Sequence, residues 1–462
     1  MKDEINVWDD DFMERAPSAK FLTLYLLANP HIKVLNVNSP WGAGKSFFLN
    51  RWRAELGREH VCIFFNAWEN DYSAEPLVAL ITCIEQQTMD GLSLGSTSAG
   101  KNVITTTTTL MRKAAPLIAK GLVKKFTGIE VDGILGKDGD EQAGDFAKDV
   151  VEDLIKEQSK TELHVDEFKS AILEKLSSAA ENNNLKKPAF IFIDELDRCR
   201  PTYAIELLER VKHFFELEDC RFIVASDSTQ LAHSVRAVYG EKFSSERYLS
   251  RFFDAEFRLD NSNIFGVAKQ HGFEYTCVRL HIRISGVAGT DGRNQRVEPK
   301  NNTIFVKEKS FPEHALLLVG MARYFKVELR EMLRYAQQIK SMASALPEHE
   351  FHYFWAAYLI FSKSADEDLY QDLANPEKAS GAIESFDDDK AVPVNYAFPS
   401  GHESIAEVAR YYARILHATQ DELRGLFNNS EGWRLSVISA VSDHREIFLS
   451  YRKIVELAHR VS

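Results

Sequence analysis

The chain predicts a doubly wound α/β fold built on a parallel sheet, and three observations carry that expectation. A strand-like run from Val34 to Asn38 feeds a Gly-rich turn, a short apolar run from Pro188 to Ile193 ends in the carboxylates Asp194 and Glu195, and helical and strand-like segments alternate from residue 20 to 260. Strands buried on both faces read as near-continuous aromatic and β-branched runs, as Phe190, Ile191, Phe192 and Ile193 do.

Taken in order, the first strand and its turn are followed by a second strand at Val61 to Phe65 and the polar segment Asn66-Ala67-Trp68-Glu69. Residues 91–160, with a run of threonines at Thr105 to Thr109 and a cationic stretch from Leu110 to Phe126, read as a helical insertion into a core of residues 1–265. Its basic character suits a solvated surface, a membrane surface or a partner, and Pro116 and Gly121 weaken any helix there. The run Cys220 to Ala225 is a further core strand, with Ser226 and Asp227 at its polar end. Residues 266–310 form a β-hairpin-like insertion, because Val278 to Ile284 alternates apolar and basic residues and Thr303 to Lys307 can return beside it. Helical spacing of Leu316, Leu317, Met321, Phe325, Leu329 and Leu333 predicts a helical lid over 311–365. After an acidic linker at Asp387 to Asp389, helices from His402 to His459 complete a helical C-terminal region over 366–462.

With 462 residues, 45% hydrophobic and 27% charged, the chain has the balance of a soluble globular protein of two or three domains. A formal net charge of −12 argues against a protein that coats nucleic acid. The five cysteines lie far apart without a C-x-x-C spacing, so neither a zinc site nor a disulfide framework is indicated, and a reducing cytoplasm is the expected location. No stretch has the length and apolarity of a membrane span, and Met1 to Glu4 does not open a secretory signal.

The chemistry lies in the two ends of the core. In Ser39-Pro40-Trp41-Gly42-Ala43-Gly44-Lys45-Ser46, successive backbone N–H groups of a Gly-rich turn can wrap phosphates, Lys45 can reach the terminal ones, and the Ser46 hydroxyl can hold Mg²⁺. The segment from Trp41 to Phe47 is therefore the expected nucleotide-binding loop. Ser39 stands where the pattern has its first glycine, so the turn must form without a residue that freely adopts positive φ. Asp194 is the second expected Mg²⁺ ligand, and Glu195 the group that orients and deprotonates the attacking water. Asp227 has two readings, a γ-phosphate sensor and the N-cap of a helix over Gln230 to Val238.

These residues resemble the KAP family of P-loop NTPases, a branch near the STAND and AAA+ ATPases. The likeness rests on Trp41 to Ser46, on Asn66-Ala67-Trp68, on Asp194 to Arg198 with Pro201 following, on Ser226-Asp227 and on Tyr248 to Phe253, and it covers about residues 15 to 345. It implies ATP as the nucleotide, which the residues alone do not separate from GTP, and a hydrolase that drives a switch or an assembly, as a homo-oligomer with a companion effector protein. Many bacterial relatives are associated with plasmid- or phage-directed defence. Where the family pattern has a lysine this chain has Arg251, which reads either as an arginine finger on a neighbour's γ-phosphate or as a surface ion-pair former. Arg330 reads as the lid arginine that senses nucleotide or as a solvated helix position. Two other functions stay open: an ATP-binding scaffold or sensor with little turnover, and an ATPase stimulated by nucleic acid through Arg279, Arg283 and the basic insertion.

Overall fold

A computed structural model describes residues 6–73, 75–89, 167, 169–212, 217–261, 263–271, 280, 311–346, 351–398 and 401–460. The insertion expected at 91–160 and the hairpin expected at 278–307 lie outside the described residues, apart from Leu280. The chain divides into two compact units. The first is residues 1–10 with Arg15–Asp260, and the second is Asp11–Glu14 with Asn261–Ser462.

The first unit is a five-stranded sheet, all parallel, in the order β2-β3-β4-β1-β5. Its strands are β1 (Val34–Asn38), β2 (His60–Asn66), β3 (Lys186–Asp194), β4 (Cys220–Ser226) and β5 (Ala255–Arg258). Side chains of one strand alternate between the two faces. Phe190 and Phe192 of β3 join Leu35, Val37, Ile223 and Ala225 under helices α1 (Ala16–Ala28) and α2 (Lys45–Leu56). Ile191 and Ile193 point the other way, into a core with Val61, Ile63 and Phe65 of β2. That core is covered by α3 (Pro76–Met89), α4 (residues 169–182), α5 (Pro201–Lys212) and α6 (Ser228–Tyr239). Helices on both faces of a parallel sheet make the fold the doubly wound one that the sequence predicts. The short helix α7 (Ser245–Leu249) leads back to β5 at the edge.

The long arm of α2 is aimed by aromatic packing. Trp52 is fully buried, meets Phe192 edge-on at 5.5 Å between ring centroids, and donates its indole N–H to Thr23 Oγ1 of α1 at 2.8 Å. Because Phe192 lies two residues before Asp194, this contact fixes the first turn of α2 relative to the end of β3.

The second unit is helical, as expected, with departures. A helix, α8 (Phe265–His271), stands at the start of the segment read as a hairpin. Helices α9 (Glu313–Tyr324), α10 (Leu329–Ser344) and α11 (Tyr353–Ala365) carry the periodicity seen in the sequence; Leu316, Leu317, Met321 and Phe325 are buried, and Leu329 and Leu333 pack partly buried against them. Helices α12 (Glu367–Asp372) and α13 (Ala379–Asp389) follow. The acidic run Asp387 to Asp389 is thus the last turn of α13 and not a linker, since Phe386 and Ile383 bury that helix's apolar face. His402 likewise belongs to no helix. It lies in β7 (Gly401–Ser404), paired antiparallel with β6 (Asn395–Phe398), and the tail helices α14 (Ile405–His417), α15 (Gln420–Asn428), α16 (Trp433–Val441) and α17 (Arg445–His459) begin after it. Ser404 caps α14 by accepting from Glu407 N, and Thr419 caps α15 in a reciprocal pair with Glu422.

A glycine is required in α9. A Cβ at Gly320 would stand 2.3 Å from the phenol oxygen of Tyr396, which donates to the Leu317 carbonyl at 2.9 Å. Gly320→Ala is expected to destabilise the helical unit by about 1–3 kcal/mol through overpacking, read as a lower urea midpoint with an unchanged slope. An unaltered midpoint would show that the Tyr396 packing is not as close as described.

Candidate functional site

The turn after β1 is held open by its own neighbours. Ser39 N donates to the Ser226 carbonyl of β4 at 3.2 Å, and the left-handed positions of the loop are Gly42 and Gly44, each at φ 82°. Ser39 is not one of them, so its place in the pattern costs no backbone strain. Gly44 is the N-cap of α2, and a Cβ there would meet Arg15 Nη1 at 2.9 Å. Arg15 is buried and donates to the carbonyls of Ala43 at 2.8 Å, Gly44 at 3.3 Å and Asp260 at 3.2 Å. These bonds engage two loop carbonyls from one side and leave the N–H groups of the first turn of α2 to serve an anion, as helix N-termini do.

Lys45 opens α2 and is buried. Its Nζ donates to the Ser39 carbonyl at 2.5 Å and the Pro40 carbonyl at 3.2 Å, and lies 3.8 Å from Asp197 Oδ2. Burial lowers its affinity for its proton, while Asp197, Asp227 and Asp194 oppose that effect. Three carboxylates therefore offset part of the desolvation of the lysine.

Ser46 and Asp194, expected to share a cation, stand near enough for the Ser46 hydroxyl to favour the charged form of the Asp194 carboxyl. Asp194 is 2% exposed and ends β3. Burial pushes its carboxyl up, and the Ser46 hydroxyl and the bond from Glu195 N, at 2.9 Å, pull the other way. Glu195 follows with φ 59°, a left-handed conformation unusual outside glycine that turns its side chain out of the strand. Its Oε1 lies 2.8 Å from Arg198 Nη1, and its Oε2 accepts from Asn66 Nδ2 at 3.3 Å. Asn66, at the end of β2, takes the N–H groups of Trp68 and Glu69 on its Oδ1, which sets the amide so that Nδ2 faces Glu195.

A residue that the sequence reading did not single out joins these parts. Asp197 lies in the 3₁₀ turn Leu196–Arg198 and is 6% exposed; its Oδ2 accepts from the Trp41 indole at 2.5 Å and from Asp227 N at 3.0 Å, besides facing Lys45. The signal available was the third acid of Asp194-Glu195-Leu196-Asp197-Arg198. Arg15 had none, since it lies about 30 residues before the loop in a segment of no pattern.

The remaining expected residues fall into two groups. Asp227 is buried and caps α6, accepting from Thr229 N at 3.0 Å and Gln230 N at 3.3 Å, while its charge also acts on Lys45. Ser226 is wholly buried and donates to Asn36 Oδ1 at 2.8 Å. Trp41 is 44% exposed despite its tied indole, and Phe47 is half-buried under the Arg51 guanidinium. Arg251 stands exposed just after α7, apart from the hydrogen-bonded cluster, and Arg330 is an exposed residue in the first turn of α10 in the helical unit.

The family model described as the KAP family P-loop domain matches residues 17–269, more than half of the chain. The chain belongs to the KAP family of P-loop NTPases. The matched span of this KAP NTPase contains the loop, Asp194, Glu195, Asp197 and Asp227, which the geometry brings together, and Arg251, which it does not. No curated protein matches the chain. Among the described residues no helix is long and apolar enough to cross a membrane.

Asp197→Ala leaves the buried Asp227 N–H and the Trp41 indole without their acceptor. It is expected to cost about 1–3 kcal/mol in urea unfolding and to shift Trp41 emission, assigned by difference against Trp41→Phe. Unchanged stability and emission would remove Asp197 from its place at the centre of the site.

Proposed function

We propose that this KAP NTPase is a Mg²⁺-dependent ATP hydrolase that acts as a nucleotide-driven switch or assembly module. The observation that carries the reading is the buried Asp194 at the end of β3, with Glu195 N bonded to it at 2.9 Å and the Ser46 hydroxyl acting on its carboxyl. A hydroxyl and a carboxylate are hard oxygen donors, the set that suits Mg²⁺ when phosphate oxygens complete its shell. When bound, the ion draws negative charge from the phosphates as the terminal bond breaks.

Lys45 exchanges the carbonyls of Ser39 and Pro40 for β- and γ-phosphate oxygens, and the N–H groups from Gly42 to Phe47 wrap the same chain of phosphates. Glu195 orients the attacking water and takes its proton on a carboxylate oxygen. Asp227, whose charge acts on Lys45, reads the state of the γ-phosphate, and exposed Arg251 reaches the phosphate of a neighbouring copy in a homo-oligomer. Arg330 serves as the sensing arginine of the helical unit. The choice of ATP, a companion effector and a place in plasmid- or phage-linked defence rest on family resemblance. One observation favours a slow basal rate, and with it a sensor-like role: both carboxylate oxygens of Glu195 are engaged by Asn66 and Arg198.

Single-turnover hydrolysis separates the roles. Glu195→Gln is expected to slow ATP cleavage by about 10²–10⁴-fold with ATP still bound, as loss of a general base does. Lys45→Ala is expected to abolish measurable binding of a fluorescent ATP analogue. Hydrolysis by Glu195→Gln at the wild-type rate would contradict the assignment of the base, and unchanged affinity in Lys45→Ala would contradict the site.

A further inference from the structure

The turn that follows Glu195 returns a cation onto it. Arg198 is three residues on, at the end of the 3₁₀ turn, and its Nη1 lies 2.8 Å from Glu195 Oε1. The same guanidinium stands over the Trp68 ring, 5.8 Å from its centroid, and the Trp68 N–H is bonded to Asn66 Oδ1. Glu195 is thus held between two groups that are themselves positioned by one short segment, Asn66 to Trp68. The Glu195 side chain is 15% exposed and that of Arg198 30%, so the arginine has solvent on one side and a route away from the carboxylate.

We infer that Arg198 is a positioning residue that restrains Glu195, and that the Arg198–Glu195 pair must open before the carboxylate can turn to the attacking water and take its proton. The inference rests on Glu195 being the base. A guanidinium on one carboxylate oxygen and an amide on the other fix the side chain in place and leave a water only their remaining lone pairs, and the partly exposed ion pair is the contact that gives way at low cost. The Trp68 face holds the guanidinium in both directions: it keeps Arg198 near Glu195 when paired and gives it a place to stay when released. A terminal phosphate beside Lys45 supplies the competing anion, because a guanidinium binds phosphate oxygens as readily as carboxylate ones.

The test joins turnover to a readout independent of it. Arg198→Ala is expected to raise basal kcat about three- to fivefold, the equilibrium worth of a partly exposed ion pair, with KM unchanged, and Arg198→Lys to keep most of the restraint. The gain should vanish in the Glu195→Gln background, where Arg198→Ala changes nothing. In protein labelled with 5-fluorotryptophan, the Trp68 resonance, assigned through Trp68→Phe, should move in Arg198→Ala without nucleotide, and should move in wild type when Mg²⁺ and a non-hydrolysable ATP analogue are added. A kcat that is unchanged in Arg198→Ala, or a Trp68 resonance unmoved by that substitution or by the analogue, overturns the restraint. A tenfold or larger fall in kcat also overturns it and makes Arg198 a phosphate-binding group. Wild-type turnover by Glu195→Gln alone would instead remove the base on which the inference stands.

Discussion

Asp197 Oδ2 accepts from the Trp41 indole and the Asp227 backbone N–H at a point where water reaches little of it, and the ammonium of Lys45 stands 3.8 Å away. A carboxylate so placed is expensive to desolvate unless donors and a cation meet it, and here the indole, the backbone N–H and the ammonium do. It binds the phosphate loop after β1, the turn after β3 and the end of β4 through one oxygen. The sheet supplies the reason that such a fastening is needed. In the order β2-β3-β4-β1-β5 the strand carrying the loop and the strand carrying the acids are not neighbours, since β4 lies between them.

Two other contacts span the same gap. Helix α2 crosses the sheet face over β4, and Trp52 against Phe192 sets its angle, so the first turn of α2 arrives at the end of β3, where the Ser46 hydroxyl acts on the Asp194 carboxyl. On the far side, Asn66 at the end of β2 reaches Glu195. Parallel strands end together on one edge, which is where ligands bind in open α/β sheets, and the polar ends of β1, β2, β3 and β4 are all used here. Apolar packing within the sheet and polar bonds at its edge thus act on the same residues two positions apart.

Much of this was legible in the chain. The strands β2, β3 and β4 announce themselves as apolar runs, and the loop and the Asp194-Glu195 pair by their residue types and spacing. The doubly wound arrangement follows from their alternation with helices. What escaped the sequence depends on contacts distant along the chain. Arg15 braces the loop through carbonyl oxygens, which leave no trace in residue spacing, and Asp197 looks like one more acid in an acidic turn until Trp41 and Asp227 are seen on it. In the helical unit the acidic run at Asp387 to Asp389 looked like a linker because charge density, read locally, says nothing of Ile383 and Phe386 anchoring the preceding turns of α13. The β6–β7 hairpin was missed for a similar reason: strands of four residues are too short for an alternation to declare itself.

In the function proposed here, Ser46 and Asp194 are the protein's half of a cation site completed by the phosphates of a nucleotide. Titration of Mn²⁺ followed by electron paramagnetic resonance tests it directly, because the free ion gives a strong signal that is lost on binding. Tight uptake of Mn²⁺ by the wild-type protein is expected only when an ATP analogue is present, with loss of that uptake in Asp194→Asn while the analogue still binds. Equal uptake of Mn²⁺ by Asp194→Asn, or tight uptake by the wild type without nucleotide, would contradict it.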